Sequence, residues 1–155
     1  MCEKLNACNQ LVAQDILNIQ LLAYKIEAEL IGFDGIPQLN DTVESIMASK
    51  ETFIGYNRSG KLAGFISYQV SGNELDICRL VVHPDCFRMG TANSLLKYIM
   101  NKYKYSIIDR YTVSTGSKNV PAIRLYKQFG FIPYQEIEIS KGISICLLAK
   151  EKTQA

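Results

Sequence analysis

The stretch HPDCFRMGTANSLL, residues 83–96, joins an apolar run to a patterned helix and decides the fold. The run before it, LDICRLVV at residues 75–82, has the composition of a buried strand. The helix after it carries apolar residues at steps of three and four. They are Ala92, Leu95, Leu96, Ile99, Met100 and Tyr103. The chain therefore passes from a strand to a helix through a turn that contains Pro84 and Gly90.

This turn has the chemistry of a phosphate site. A helix that follows a strand directly presents unpaired backbone N–H groups, and its dipole places positive charge at that end. Gly90 and Ala92 leave room for a pyrophosphate, Thr91 adds a hydroxyl and Arg88 adds a charge. A tight strand-to-helix connection explains the glycine equally well. Neither GxxxxGK[ST] nor GxGxxG occurs, so P-loop and Rossmann sites are excluded.

Composition limits the class of partner. The chain has 155 residues, of which 48% are hydrophobic and 21% charged, and we expect a single domain over residues 1–155. A net charge of +2 gives no support for a nucleic-acid or membrane partner. The chain also lacks a basic, aromatic-studded strand face, which disfavours RNA or DNA binding. The partner is therefore expected to be small.

Cysteine usage and hydropathy indicate the compartment. Five cysteines without a CxxC pair, and a single histidine, provide no zinc-binding pattern, so no metal is expected. This odd set of cysteines suits a reducing cytosol. No apolar run approaches the ~20 residues of a membrane span, and no basic leader is evident. We expect a cytoplasmic protein.

Periodicity predicts the remaining elements. Residues 11–31 form a long helix, and Asp41 with Glu44 caps a short helix that runs to about Ser49. Three antiparallel strands, a strand near 110–114, a helix with Pro121 in its first turn, and a terminal hairpin follow. The predicted buried positions of the helix that contains Pro121 are Ala122, Leu125 and Phe129. The three strands are ETFIGYN, KLAGFISYQV and ELDICRLVV, and the hairpin is FIPYQEIEIS with ISICLLAK. The fold class is therefore α/β (α+β), a single domain with a mixed, mostly antiparallel sheet.

Two motifs together resemble the GNAT superfamily of acyl-CoA-dependent N-acyltransferases. The family motif Gln/Arg-x-x-Gly-x-Gly/Ala falls on residues 87–92, with Phe87 at the position where the family usually places Gln or Arg. TGSKNVPAIRLYKQFGF, residues 115–131, resembles the second motif. Its matching positions are Asn119, Ala122, Tyr126, Gly130 and Phe131. The two motifs lie in the family's order, so the resemblance implies a GNAT-like fold and an acetyltransferase that uses acetyl-CoA.

The resemblance also implies a site. The cofactor's pantetheine arm would lie beside the strand that precedes the turn, and a backbone N–H near Val81 or Val82 would stabilise the oxyanion. Tyr126 would be the catalytic acid that protonates the leaving thiolate. Asn119 would bind the pantetheine arm or order the start of its helix. The implied cofactor-binding residues are Leu80, Val81, Val82, Arg88, Met89, Gly90, Thr91, Ala92, Asn93 and Asn119.

The sequence identifies no general base. Glu74 and Asp76 on the strand, and Glu27 and Glu29 on the first helix, are candidates, but a solvated surface position is the commoner fate of such carboxylates. Ordered water is an alternative proton carrier. His83 sits in the turn before Pro84, where a structural hydrogen bond is the favoured role.

Cys78 and Cys86 flank the expected site. Free cysteines are commonly small core residues, and a covalent route would need an activating partner. Direct transfer in a ternary complex is therefore the favoured mechanism.

The acceptor is expected to be a primary amine on a small molecule or peptide. The segment GFDGIPQLND should rim its pocket, with Phe33, Ile36 and Leu39 as an apolar wall. A CoA-binding regulatory or scaffold module without catalysis is the alternative function. The apolar run ISICLLA is either a core strand or part of a dimer face, and the second alternative implies a homodimer.

Overall fold

A single seven-stranded sheet forms the centre of the computed structural model, which describes residues 1–152. The strand order is β1-β2-β3-β4-β5-β7-β6, and every neighbouring pair is antiparallel except β4 and β5. This is the mixed, mostly antiparallel sheet that the sequence predicted. The strands are β1 Cys2–Leu5, β2 Thr52–Arg58, β3 Lys61–Ser71, β4 Glu74–Val82, β5 Arg110–Gly116, β6 Ile132–Ser140 and β7 Ile143–Glu151. The predicted domain end at residue 155 lies outside the described residues.

Helices cover both faces of this sheet. One core lies between the sheet and α1 and α2, and a second core lies between the sheet and α3 and α4. Short 3-10 turns at Pro37–Asn40 and Pro84–Cys86 complete the described elements. The helices are α1 Gln10–Ile31, α2 Val43–Met47, α3 Thr91–Lys102 and α4 Val120–Gln128.

The cap of α2 differs from the prediction. Thr42 is the N-cap, and its hydroxyl accepts from the Ser45 N–H at 3.1 Å while the Ser45 hydroxyl accepts from the Thr42 N–H at 2.8 Å. The predicted pair of Asp41 and Glu44 is therefore wrong by one residue. The Asp41 side chain turns inward instead, where it binds Arg79.

A β-bulge divides β4 into two halves. Neighbouring residues of β3 pair with Ile77 and Arg79, so Cys78 is an extra residue. Such an insertion turns the following side chains to the opposite face of the sheet. Ile77 accordingly packs in the core under α3 and α4, whereas Val81 packs in the core under α1. Strict alternation would have placed both residues on one face.

The two parallel strands separate immediately after the bulge begins. β4 pairs with β5 only from Glu74 to Ile77, opposite Arg110 to Val113. Within the described residues, no ladder pairing joins the continuation of β4 to residues 114–116 of β5. The second half of β4 therefore has backbone groups that face a gap rather than a neighbouring strand.

The C-terminal helix corrects one expectation, and the C-terminal hairpin gives the position of the ISICLLA strand. On α4, the predicted core positions Ala122, Leu125 and Phe129 are only partly buried, and Tyr126 is the buried residue at 5% exposure. All three residues nevertheless pack against the core that lies under α3 and α4. β7 lies between β5 and β6, so ISICLLA is an interior strand of the sheet.

Candidate functional site

A cleft of about 860 Å³ opens where β4 and β5 separate. The second half of α1 and the loop after it line one part of the cleft. The turn before α3 lines another part, and the β6–β7 hairpin and the start of α4 close the remainder. The cleft therefore gathers residues from distant parts of the chain at the point where the sheet is split.

The turn between β4 and α3 combines a backbone requirement with open space. Gly90 has φ of 78°, in the left-handed region that favours glycine, and no atom lies within 4 Å of the position that a Cβ would occupy. Arg88 also has a positive φ, 63°, which is strained for a residue with a side chain. The tight strand-to-helix connection is therefore confirmed as a reason for Gly90, and the phosphate site stays a prediction.

The start of α3 offers hydrogen-bond donors to an anion. Its first intrahelical bond runs from the Ser94 N–H to the Gly90 carbonyl, so the N–H groups before Ser94 have no helical partner. No side chain caps this end, and its first turn contains no acidic residue. The Thr91 hydroxyl is buried and has no partner within the described residues. These donors fit the pyrophosphate of a CoA compound.

The predicted cofactor residues line this cleft with one exception. Met89 has a half-exposed side chain outside the lining, and its carbonyl accepts from Arg58 Nη2 at 3.4 Å. The predicted residues that do line the cleft are Leu80, Val81, Val82, Arg88, Gly90, Thr91, Ala92, Asn93 and Asn119.

Tyr126 reaches the cleft from α4. Its ring packs edge-on against Phe131, with centroids 5.6 Å apart. Burial raises the pKa of the Tyr126 phenol well above its ordinary value, and the nearby carboxylate of Glu27 raises it further. The phenol is therefore protonated at any physiological pH.

Asn119 connects α4 to α1. Its Oδ1 accepts the N–H of Ala122 at 3.3 Å, and its Nδ2 donates to Glu27 Oε1 at 2.6 Å. Of the two roles suggested for Asn119, ordering the start of the helix is the one visible in these contacts. Burial raises the pKa of Glu27, and the hydrogen bond from Asn119 offsets part of that rise.

The assignment of Glu27 to a solvated surface was wrong, because the side chain lies in the cleft. A signal was present in the sequence, since Gln20, Tyr24, Glu27 and Ile31 follow one another at steps of four, three and four. Glu29 is exposed, and Asp76 binds the Thr112 hydroxyl away from the cleft at 2.7 Å. Glu74 likewise does not line the cleft.

A network of charged and polar side chains around Arg79 lies beside the cleft. Arg79, which is 9% exposed, contacts Asp41 at 2.6 Å and Glu51 at 3.0 Å, and Gln20 Oε1 accepts from its Nη1 at 2.9 Å. Burial alone would raise the pKa of Glu51, but hydrogen bonds from Arg79 and Ser67 bring it below the ordinary value. The network therefore fixes β4, α1 and the loop before α2 to one another.

The loop at residues 32–41 supplies part of the apolar wall. Phe33 and Ile36 line the cleft as predicted, but Leu39 does not. The carbonyl of Gln38 accepts from Gln20 Nε2 at 3.0 Å, which ties the loop to α1. Leu39 lies in the 3-10 turn at Pro37–Asn40, whose first two residues line the cleft while Leu39 does not.

His83 and the cysteines have structural roles in the geometry seen. His83 Nδ1 accepts the Asp85 N–H at 3.0 Å, and the ring does not line the cleft. Cys78 and Cys86 do line it, but burial and the carboxylates of Glu51 and Asp76 raise the pKa of the Cys78 thiol to about 12. A protonated thiol is a poor nucleophile.

Residues 1–152 contain neither a metal-binding group of side chains nor a membrane-spanning helix. That part of the chain has no group of three or more His, Cys, Asp or Glu side chains that could hold a metal ion. None of its helices has both the length and the apolar character required to cross a membrane.

The chain is similar in sequence to a known domain family and to a bacterial protein. Residues 33–152 match the family model described as "Acetyltransferase (GNAT) domain". The UPF0157 protein YqkA of Bacillus subtilis (strain 168) is 42% identical over 143 residues, which cover 92% of this chain and 41% of YqkA. The chain thus spans less than half the length of that relative.

Two further similarities concern proteins named N-acetyltransferases. The [Ribosomal protein bS18]-alanine N-acetyltransferase of Escherichia coli (strain K12) is 27% identical over 109 residues, covering 70% of this chain and 72% of that protein. The crystal structure of PaiA N-acetyltransferase from Thermoplasma acidophilum in complex with coenzyme A superposes with a TM-score of 0.78 at 14% identity, covering 97% and 99% of the two chains.

The chain belongs to the GNAT acetyltransferase domain family. The predicted family and fold class are therefore confirmed. The acetyltransferase activity stays a prediction, because the chain spans 41% of the length of YqkA. The residue roles and the acceptor stay predictions.

The Arg79 network generates a stability prediction. Replacing Arg79 by Leu should lower the free energy of unfolding by about 3 kcal/mol at pH 7, because Asp41 and Glu51 lose their shared cation. Urea unfolding measures the change. The control is Arg110→Leu, since the exposed pair of Arg110 and Glu151, 3.6 Å apart, should contribute less than about 1 kcal/mol.

The Arg79 network also determines how the stability of the protein should depend on pH. The folded-state pKa of Glu51 lies below its ordinary value of 4.5, so its stabilising contribution is complete above that pH. The contribution is lost as the pH falls through the lower folded-state pKa. The difference between wild type and Arg79→Leu should therefore shrink in acid. Equal stabilities of the two proteins at pH 7 would contradict the prediction.

Proposed function

We propose that the chain transfers the acetyl group of acetyl-CoA to a primary amine by direct transfer in a ternary complex. The observation that carries the proposal is the gap between β4 and β5, which ends at a turn with unpaired backbone donors. A strand with a free edge and a helix start with free N–H groups suit the amides and the pyrophosphate of one extended cofactor. The CoA bound to PaiA, which has the same fold, supports this choice.

The cofactor would bind along the turn and the second half of β4. N–H groups of Thr91, Ala92 and Asn93 would donate to the pyrophosphate, and the Arg88 guanidinium would add a charge contact. Leu80, Val81 and Val82 would pair with the pantetheine arm. A backbone N–H near Val81 or Val82 would stabilise the oxyanion of the tetrahedral intermediate.

Tyr126 would protonate the leaving thiolate. Its buried phenol is kept protonated by the raised pKa, and it lines the same cleft as β4. The amine nitrogen would attack the thioester carbonyl carbon, the C–S bond would break, and the phenolic proton would pass to sulfur. A covalent cysteine intermediate finds no support, because the pKa of the Cys78 thiol is raised.

The compartment, the domain extent and the oligomer belong to the same proposal. All five cysteines of the chain are free, which supports the cytoplasm as the compartment. We also propose one N-acetyltransferase domain over residues 1–155, because one sheet carries every described strand of residues 1–152. The exposed edge strand β6 is the surface on which a homodimer would form.

The cofactor site is tested by calorimetric titration with acetyl-CoA. Gly90→Glu should weaken binding roughly 100-fold or more, because a carboxylate would crowd and repel the pyrophosphate. The matched control is Gly72→Glu, since Gly72 has φ of 60°, no atom within 4 Å of its Cβ position, and a place in the β3–β4 hairpin away from the cleft. If wild type binds neither acetyl-CoA, CoA nor a longer acyl-CoA, the proposal is wrong.

The acid is tested with Tyr126→Phe, which keeps the buried ring. We expect kcat to fall about 100-fold or more while the Kd for acetyl-CoA changes less than about twofold. Single-turnover kinetics at saturating amine measure the first quantity, and calorimetry measures the second. Unchanged kcat would remove Tyr126 from the mechanism.

A CoA-binding module without catalysis is the second candidate function. The departure that favours it is Phe87, an exposed apolar residue at the motif position where the family usually places Gln or Arg. Acetyl-CoA binding without turnover on a broad amine panel, together with indifference to Tyr126→Phe, would support this candidate.

A further inference from the structure

We propose that the acceptor is a primary monoamine carried on an apolar group, and that the Glu27 carboxylate binds its ammonium. This inference rests on the acetyltransferase function proposed above and names the substrate class of the same cleft. Three features support it: an apolar wall with exposed side chains among the described residues, a single carboxylate in the cleft lining, and the way in which that carboxylate is held.

Three of the large side chains in the apolar wall are exposed although they face a cleft. Ile26 and Leu30 on α1 are 41% and 49% exposed, and Ile139 on β6 is 48% exposed. All three line the cleft, together with Phe33 and Ile36 from the loop. Ile26 and Leu30 stand one helical turn apart on α1. Apolar side chains around a concave site favour a ligand that removes them from water.

The cleft has, among the described residues, one carboxylate that is free to bind an ammonium group. Two cations of the described chain also line the cleft: Arg79 is already bound to Asp41 and Glu51, and Arg88 is assigned to the pyrophosphate. Among the residues within 1–152 that line the cleft, Glu27 is the one carboxylate. The nearby carboxylates of Asp41 and Glu51 are already bound to Arg79. A second ammonium on the acceptor would lie against apolar side chains without a partner, and burying an unpaired charge is costly.

The Glu27 carboxylate is fixed at one oxygen. Asn119 Nδ2 donates to Oε1 at 2.6 Å, and within the described residues no group donates to Oε2. Asn119 also caps α4, the helix that carries Tyr126. Asn119 therefore links the Glu27 carboxylate to the helix that carries the proposed acid. The second carboxylate oxygen, Oε2, stays available to the acceptor.

The proposed proton transfers balance. The ammonium has three protons: one passes to Glu27 and then to solvent, which frees the lone pair of nitrogen. After the N–C bond forms and the C–S bond breaks, sulfur takes the Tyr126 proton, and the nitrogen returns a second proton to Tyr126. The third proton stays on the amide nitrogen. The raised pKa of Glu27 makes it a stronger base than an exposed carboxylate.

A matched pair of amines tests the substrate class. n-Hexylamine and 1,6-diaminohexane have the same chain length and differ only in the second amine. Release of the CoA thiol from acetyl-CoA should proceed with kcat/KM about tenfold or more higher for n-hexylamine. Equal values, or a preference for the diamine, would overturn the inference and leave the acetyltransferase function standing. If the protein acetylates neither of these amines, and also neither 2-phenylethylamine nor spermidine, the inference and the proposed acetyltransferase function are both overturned.

Two variants with controls on the same helix test the residues. Glu27→Gln keeps an acceptor for Asn119 but loses the charge, so kcat/KM for n-hexylamine should fall about 10- to 100-fold with the Kd for acetyl-CoA unchanged. The acidic limb of the kcat/KM profile, which reports ionisation of Glu27, should disappear. Glu29→Gln, at an exposed position outside the cleft, should leave kcat/KM for n-hexylamine and the acidic limb of its pH profile unchanged.

Leu30→Gln should raise KM for n-hexylamine roughly fivefold, because it removes part of the apolar wall. Leu22→Gln is its control, since Leu22 is 46% exposed on the same helix but does not line the cleft. Thermal unfolding of all four variants checks that they fold. Wild-type kinetics of folded Glu27→Gln or of folded Leu30→Gln would contradict the inference.

Discussion

The separation of β4 from β5 after Ile77 is the constraint on which the rest of the structure depends. Parallel strands are normally held together along their length, so an early end to the pairing leaves backbone donors and acceptors that need other partners. Here the bulge at Cys78 coincides with that end. Along the chain, the unpaired edge of β4 is followed by the turn at Gly90 and then by the start of α3.

The bulge also determines which side of the sheet each half of β4 serves. Before Cys78 the buried side chains pack under α3 and α4, and after it they pack under α1. Arg79 is consequently placed among Gln20, Asp41 and Glu51. A guanidinium that binds two carboxylates fixes three separate segments around the cleft. The cost of desolvating these charges is offset only because every one of them has a partner.

The contact between Glu27 and Asn119 joins the two helices that border the cleft. Burial works against the ionised carboxylate, as its raised pKa indicates. A single neutral amide offsets only part of that cost, so the site retains an unfavourable charge that a cationic ligand would relieve. The apolar side chains of Ile26 and Leu30 beside it are likewise exposed to water in the chain alone.

The sequence by itself determined the order of elements from the first helix onward, the glycine turn and the family, because periodicity, turn chemistry and motif spacing are local properties of the chain. It also indicated Tyr126 and Asn119 through the second motif. The tertiary structure alone decided the bulge at Cys78, the inward turn of Asp41 and the contact between Glu27 and Asn119. Each of these depends on pairing between segments that lie far apart in sequence, and a one-residue shift in strand register or a neighbouring helix reverses which face a side chain takes.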